Sequence, residues 1–478
     1  MRVLHATAEY QGLAKTGGLA DMVAALSIAL VANAADVRVC VPAYAGTRKQ
    51  LLRPVIIATF SLRGYRIAVI EGRLAPNAPL IWLIDCPALF ERGSDPYRNS
   101  AGIEFADNAL RFGIFSEAVA KLAQGAANWS PDIVHLHDWH CALAAAWLSL
   151  PPSQPKRPRI IFTIHNLAHQ GLYDRAAFDQ LGLPEAWWDL ESLEFYGDFS
   201  FMKAGLVYSD AITTVSPTYA REIQTPEYGC KLDGLLRARA DVLHGIVNGI
   251  DDAIWNPETD VLIPAPYQVQ SAAAGKAKNK RALQALLGLP QSTQPLVIFI
   301  GRLADQKGAD LILAARDEIL NLPLQFVMLA SGEAALEQGC RAWAAAAPER
   351  VAVQLKVDEH LAHSLTAAAD LQLMPSRFEP CGLNQMYAQR YGAIPIVRNT
   401  GGLADTVVDA NAETLRNNTA TGVKFEHADT GGVLYGLRRG LELIADNSIK
   451  TALRQQCMTR DFSWRISAAQ YIALYASL

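Results

Sequence analysis

This 478-residue chain has no run able to cross a membrane as a helix. Its longest uncharged apolar stretch, between Asp21 and Asp36, holds 14 residues including Ser27 and Asn33, where a span needs about 20. An excess of positive charge is missing too. Lys plus Arg is 43 against 47 Asp plus Glu, a net charge of −4, so no overall basic field draws in nucleic acid or an anionic membrane, and any anion must be held by a local site. The seven cysteines (40, 86, 141, 230, 340, 381 and 457) are odd in number and never form a C-x-x-C pair, which argues against a disulfide framework or a zinc knuckle. The start, MRVLHATAEY, shows neither an apolar leader core nor a small-residue cleavage site, so an unexported, cytoplasmic protein is expected. What the chain does have is 51% hydrophobic and 19% charged residues, with 33 Gly and 24 Pro spread throughout. That composition builds large cores with ordered turns and excludes disorder, collagen and coiled coil.

Short β-rich runs alternate with longer helical patterns, as in a parallel sheet with helical crossovers. Strands are expected at Val3 to Thr7, Val37 to Pro42, Ile81 to Asp85, Ile133 to His137 and Ile160 to His165, with an Ala-rich helix over Leu19 to Ala34. The same grammar restarts at Leu296 to Gly301 and continues through Phe326 to Ala330, Val351 to Leu355, Leu371 to Pro375 and Ile394 to Val397. The length allows about three domains or two large α/β ones. Two are expected, 1–247 and 248–462, with the remaining length in long loops and a last helix, about 463–478, returning to the first.

Thr16-Gly17-Gly18-Leu19-Ala20-Asp21 recurs letter for letter as Thr400-Gly401-Gly402-Leu403-Ala404-Asp405. Two readings stand: convergent turn-plus-cap solutions in a Gly- and Ala-rich chain, or a pair of glycine loops whose backbone N–H groups hold phosphate or sugar oxygens. Lys15 puts a cation beside the first copy. Neither a Walker P-loop nor the G-x-G-x-x-G spacing is present. Arg302 and Lys307 follow a strand, where open α/β sheets bind ligands, and suit a diphosphate. Glu379, in Arg377 to Leu383, can bind sugar hydroxyls, act as base or nucleophile, or cap a helix; Cys381 reads as a small turn residue.

His135-Leu136-His137-Asp138-Trp139-His140 comes close to a dinuclear hydrolase pattern but has Trp139 where Asp is required. Further ligands would have to come from His165 or His244, so no metal is expected. In the alternative reading, Asp138, His165 and Asn166 supply hydrogen bonds to a sugar and Trp139 an apolar face.

Taken together, Lys15 to Asp21 (KTGGLAD), His137 to Trp139 (HDW), Thr163 to Asn166 (TIHN), His244 to Asp251 (HGIVNGID), Arg302 to Gly308, Ser376 to Leu383 (SRFEPCGL) and Asn399 to Val407 (NTGGLADTV) resemble bacterial glycogen synthase and plant-type starch synthase, glycosyltransferase family 5. The resemblance covers nearly the full length. It implies a GT-B fold: α/β, with two Rossmann-like doubly wound parallel-sheet domains separated by a deep cleft. The first is the acceptor-side and catalytic domain, the second the nucleotide-sugar-binding domain. It also implies transfer of glucose from ADP-glucose to an α-1,4-glucan such as glycogen, with retention and without cofactor or metal.

By the same resemblance, His165, Glu379, Arg302, Lys307 and Asp138 are catalytic. Lys15, Gly17, Gly18, Asn248, Cys381, Gly382, Leu383, Thr400, Gly401 and Gly402 contact the donor. Glu9, Trp139 and Asn166 lie on the acceptor side. Two departures stand out. Lys356-Val357-Asp358-Glu359 replaces the family's Gly-Tyr, whose ring stacks on the nucleobase, and Asn384 replaces the usual Thr. Weaker donor affinity with retained ADP-glucose selectivity is expected. The rival readings are a GT-B transferase with another donor, such as UDP-glucose, or a small acceptor, and an inactive glucan-binding paralogue.

Overall fold

The computed structural model describes residues 1–93, 95–150 and 157–478. The chain divides into two units, Met1–Val215 with Ala220–Gly249 and Trp464–Leu478, and Ser216–Tyr219 with Ile250–Ser463.

The first unit holds strands β1 (Arg2–Ala6), β2 (Asp36–Pro42), β3 (Leu52–Leu62), β4 (Tyr65–Arg73), β5 (Leu80–Asp85), β6 (Ile133–His137), β7 (Arg159–Ile164), β8 (Leu172–Tyr173), β9 (Glu194–Phe195), β10 (Asp198–Ser200), β11 (Ala211–Thr214) and β12 (Leu243–Gly245). Among the described residues, nine of them form one sheet in the order β12-β11-β7-β6-β1-β2-β5-β4-β3, and β8-β10-β9 form a small separate sheet. Its central strands are buried along nearly their whole length, as in a parallel sheet covered on both faces. On one face the helix Gly18–Ala32 turns Leu19, Met22, Val23, Leu26 and Leu30 inward at helical spacing. They meet Val3, Val39 and Ile81 of the sheet and Trp464, Tyr471 and Tyr475 of the final helix, Trp464–Ser477.

The sheet is not parallel throughout, as the sequence reading had it. β4 runs antiparallel to both of its neighbours, β3 and β5. Arg63 and Gly64, both at positive φ, close the β3–β4 hairpin as a two-residue turn of the type that matches strand twist. Length assigned to loops thus forms this arm and the small sheet.

The second unit contains β13 (Leu296–Leu303), β14 (Gln325–Gly332), β15 (Val351–Leu355), β16 (Leu371–Met374), β17 (Ile394–Arg398) and β18 (Val423–Phe425). They are parallel, in the order β15-β14-β13-β16-β17-β18. Alternate residues serve opposite faces. Val297, Phe299, Phe326 and Met328 enter one core, and Leu296, Ile298, Val327 and Leu329 enter another with Leu361 and Leu365 of the helix Glu359–Ala368. β13 continues to Leu303, so Arg302 stands on the strand's last residues rather than in the loop after Gly301.

Candidate active site

In both large sheets the chain starts in the middle, builds outward through two parallel neighbours, then returns to the other side of the first strand. The reversal falls between β1 and β6 in the first unit and between β13 and β16 in the second. Crevices outside the carboxyl ends of such strand pairs are where open α/β sheets bind ligands. Glu9 to Gly18 follow β1, Asp138 and Trp139 follow β6, and His165 and Asn166 follow the next strand, β7. In the second unit Arg302 ends β13 with Lys307 just beyond, and Ser376 to Leu383 follow β16.

Asp138 caps the helix Trp139–Ser149 with φ 63° and ψ 177°, a region essentially reserved for glycine. Strain of that kind persists where the surroundings over-determine it, and it clusters at functional sites. Its N–H donates to Thr163 O at 2.9 Å, and its carboxyl accepts from the amides of His165, Asn166 and Trp139. Burial outweighs those bonds and pushes the carboxyl up to about 8. Its Oδ1, like the Asn248 Oδ1, is buried without a hydrogen-bond partner among the described residues. Both atoms are thus buried acceptors that the described residues leave unused.

A stability prediction follows from this burial. The carboxyl titrates near 3.8 when unfolded and about 8 when folded, so between those values the unfolded chain gives up a proton that the folded chain retains. Stability therefore falls as pH rises through that window and levels off above it. Denaturant midpoints of Asp138→Asn should gain steadily on the native chain from pH 4 to 8; a gap independent of pH would contradict the assignment.

Glu9 is buried, and among the described residues four hydrogen bonds converge on its carboxylate. They come from Thr16 N (2.6 Å), Thr16 Oγ1 (2.5 Å), Gly17 N (3.1 Å) and the Tyr97 hydroxyl (2.6 Å). Its charge holds the exposed loop that carries Lys15, Gly17 and Gly18. Lys15 itself pairs with Asp21 at 2.8 Å. Trp139 is half-buried against Phe112, His140 and Phe201, and Asn166 uses its Oδ1 to accept from Ala168 N.

His5, His135 and His137 bring ligand atoms within 4.8 Å of one another. Five of their six nitrogens are occupied otherwise. His5 Nδ1 lies 2.8 Å from His137 Nε2, the separation of a hydrogen-bonded pair. His135 is closed by the Tyr475 hydroxyl (2.7 Å) and Thr163 Oγ1 (2.6 Å). Among the described residues no carboxylate joins this group, so a divalent charge there would be buried without neutralisation. The arrangement suits a hydrogen-bonded chain of neutral rings.

In the second unit Glu379 is buried, with Oε2 2.5 Å from Lys307 Nζ and 3.0 Å from Ser376 Oγ. Arg302, exposed, donates to Gln306 Oε1 at 3.0 Å, and Gln306 Nε2 donates to Phe378 O at 3.3 Å. Asn384 Nδ2 donates to Ile300 O at 2.8 Å, so the residue standing in for the usual Thr ties the helix Asn384–Arg390 to β13. Beneath Glu379 lies the second glycine loop. Gly402 N donates to Glu379 O at 3.0 Å; a Cβ on Gly401 would stand 1.9 Å from Glu379 O, and one on Gly402 2.0 Å from Cys381 O. Gly17, in the identical first copy, is extended (φ −156°) and has nothing within 4 Å of the same point. The two copies therefore differ. One is packed against its neighbour, the other open.

Sequence reasoning assigned no role to Tyr97, Gln306, Ser376 or Asn384's bond to β13. Ser376 carried a readable signal, a hydroxyl three residues before Glu379. Tyr97 carried none, because 88 residues separate it from Glu9.

Residues 2–238 match the family model described as starch synthase catalytic domain, and residues 288–423 that of glycosyl transferases group 1. With two sheets of this strand order and charged groups at their switch points, the chain is a glycosyltransferase of GT-B fold. It is 45% identical to glycogen synthase 1 of Methylococcus capsulatus, over 99% of this chain and 96% of that one, and 46% identical to glycogen synthase of Thioalkalivibrio sulfidiphilus, over the full length of both. The catalytic domain of starch synthase IV from Arabidopsis thaliana, solved bound to ADP and acarbose, is similar at TM-score 0.89 and 34% identity, covering 99% of this chain and 98% of that one. The chain belongs to the family of bacterial glycogen synthases and starch synthases. Among its described residues no helix is long and apolar enough to cross a membrane.

Proposed function

We propose that this protein elongates glycogen in the cytoplasm, transferring glucose from ADP-glucose to the non-reducing 4-hydroxyl of an α-1,4-glucan with retention of configuration. The observation that carries the reading is the Lys307–Glu379–Ser376 cluster at the β13/β16 switch point, built onto the packed Gly401–Gly402 loop. The second unit, 248–462, binds the nucleotide sugar through Thr400, Gly401, Gly402, Cys381, Gly382 and Leu383. The first, 1–247 with the last helix, supplies Lys15, Gly17 and Gly18 to the donor and Trp139 and Asn166 to the acceptor, and Asn248, at the boundary, contacts the donor. Glu9 acts there by holding the glycine loop.

As the bond between the anomeric carbon and the diphosphate oxygen breaks, Arg302 and Lys307 stabilise the charge that develops on the leaving group. The acceptor hydroxyl attacks from the same face and its proton passes to the departing phosphate oxygen. His165 and Asp138 lie beside the sugar. Glu379 is already engaged by Lys307 and Ser376, which favours an electrostatic and positioning role over that of nucleophile; a trapped glucosyl adduct on Glu379 would overturn this.

Val357, the residue standing where the family stacks a Tyr, is 92% exposed. Beside it Lys356 pairs with Asp358, which caps the helix Glu359–Ala368 by accepting from Leu361 N. This favours looser base recognition as a second reading. A base–aromatic stack is worth about 1–3 kcal/mol, so Val357→Tyr should lower the donor KM about fivefold or more with kcat unchanged. The deciding assay is glucan elongation with ADP-glucose and UDP-glucose side by side. Equal or better use of UDP-glucose overturns the ADP-glucose assignment, and no label in polymer from either donor overturns the reaction.

A further inference from the structure

We infer that His5 and His137 are positioning residues that form a directional hydrogen-bonded relay, fixing His165 in the tautomer with its proton on Nδ1. The inference rests on the reading of His165 as a group beside the donor sugar.

The relay crosses three neighbouring strands. His5 sits on β1 and His137 on β6, and His165 follows the end of β7. His5 Nδ1 is 2.8 Å from His137 Nε2, and His137 Nδ1 is 3.2 Å from His165 Nε2. Burial lowers all three rings, His5 and His165 to about 3 and His137 well below its ordinary value, so each is neutral at pH 7. A neutral imidazole has one N–H and one lone pair. Two neutral rings in contact must therefore alternate donor and acceptor, and the direction at one end sets it at the other.

The His5 end decides the direction. His5 Nε2 is buried and has no hydrogen-bond partner among the described residues. If the relay ran from His165 toward His5, that atom would carry an N–H buried without an acceptor, the rarer and more costly arrangement. Run the other way, it is only an unused lone pair. Hence His5 Nδ1–H donates to His137 Nε2, and His137 Nδ1–H donates to His165 Nε2. The proton of His165 then resides on Nδ1, which makes that atom a donor toward a sugar oxygen.

His135 stands outside the relay, since both its nitrogens are taken by Tyr475 and Thr163. Its ring lies 4.1 Å from that of His137, centroid to centroid. That contact packs His137 in place without competing for its nitrogens.

The test begins with the tautomers. In the full-length protein labelled with ¹⁵N-histidine, without substrate at neutral pH, two-bond ¹H–¹⁵N correlations should place the proton of His5, His137 and His165 on Nδ1. A proton on Nε2 of His165, or a mixture of tautomers, overturns the relay. Replacement of His137 supplies the second arm. Asn sets its amide where imidazole has Nδ1, facing His165, whereas Gln sets it where imidazole has Nε2, facing His5. His137→Asn should therefore retain more kcat than His137→Gln, by about tenfold for one orienting hydrogen bond. A purely space-filling His137 would favour the larger Gln, and that order of activities overturns the relay. Because the tautomer is read without substrate, an enzyme with the expected tautomer that makes no glucan overturns the functional reading alone.

Discussion

Alanine at Gly401 is expected to cost about 3–5 kcal/mol of stability, while alanine at Gly17, in the same six-residue motif, costs less than about 0.5. Gly401 has φ +45°, a conformation that costs an L-residue about 1–2 kcal/mol, and its new methyl would overlap Glu379 O at 1.9 Å. Both atoms in that collision belong to backbone, so no rotamer change relieves it. The fold must shift just where Glu379 meets Lys307, and activity is lost with stability. Gly17 is extended and faces open space within 4 Å. Its alanine variant should unfold at the native denaturant midpoint yet show a raised donor KM, because the open backbone is what the ligand approaches. Equal destabilisation at the two positions would refute the contrast, and a Gly17→Ala enzyme with native KM would remove Gly17 from the donor site.

Lys307→Ala and Glu379→Gln are each expected to lower kcat/KM by about 10²–10³, the usual loss when one preorganised charge at a transition state is removed. The losses should be strongly non-additive, since the two groups touch at 2.5 Å. Lys307→Ala carries a further cost. It leaves the buried Glu379 carboxylate with Ser376 as its remaining partner among the described residues, and breaking a buried ion pair from one side costs about 3–5 kcal/mol. The double variant Lys307→Ala/Glu379→Gln should therefore recover stability without recovering activity. Unfolding midpoints measured beside kcat/KM separate the two effects, and full additivity in both would show that the residues do not act as a unit.

Much of this was legible in order along the chain. The strand β6 fell on Ile133–His137 and β15 on Val351–Leu355, as apolar content and turn residues indicate. The antiparallel arm was not seen, although Arg63-Gly64 marks its turn, because β3 exposes Leu52, Val55 and Ile56 and so lacks a clean alternation. Glu9 shows the limit most plainly. Its acidic side chain in a loop after a strand is equally suited to a sugar hydroxyl or to backbone amides, and the folded loop gives it the amides.

Alone, the sequence determined the two series of parallel strands, the motifs at their carboxyl ends, and a globally acidic chain that must gather cations locally. These properties depend on hydrophobic period and on neighbours within a turn or two. Only the tertiary structure decided that one TGGLAD copy is jammed against Glu379 and the other left open, that Tyr97 closes onto Glu9, and that His5 meets His137 across 132 residues. Such contacts follow from which strands lie side by side. That order is set by burying both faces of a sheet at once, a condition no local stretch of chain can express.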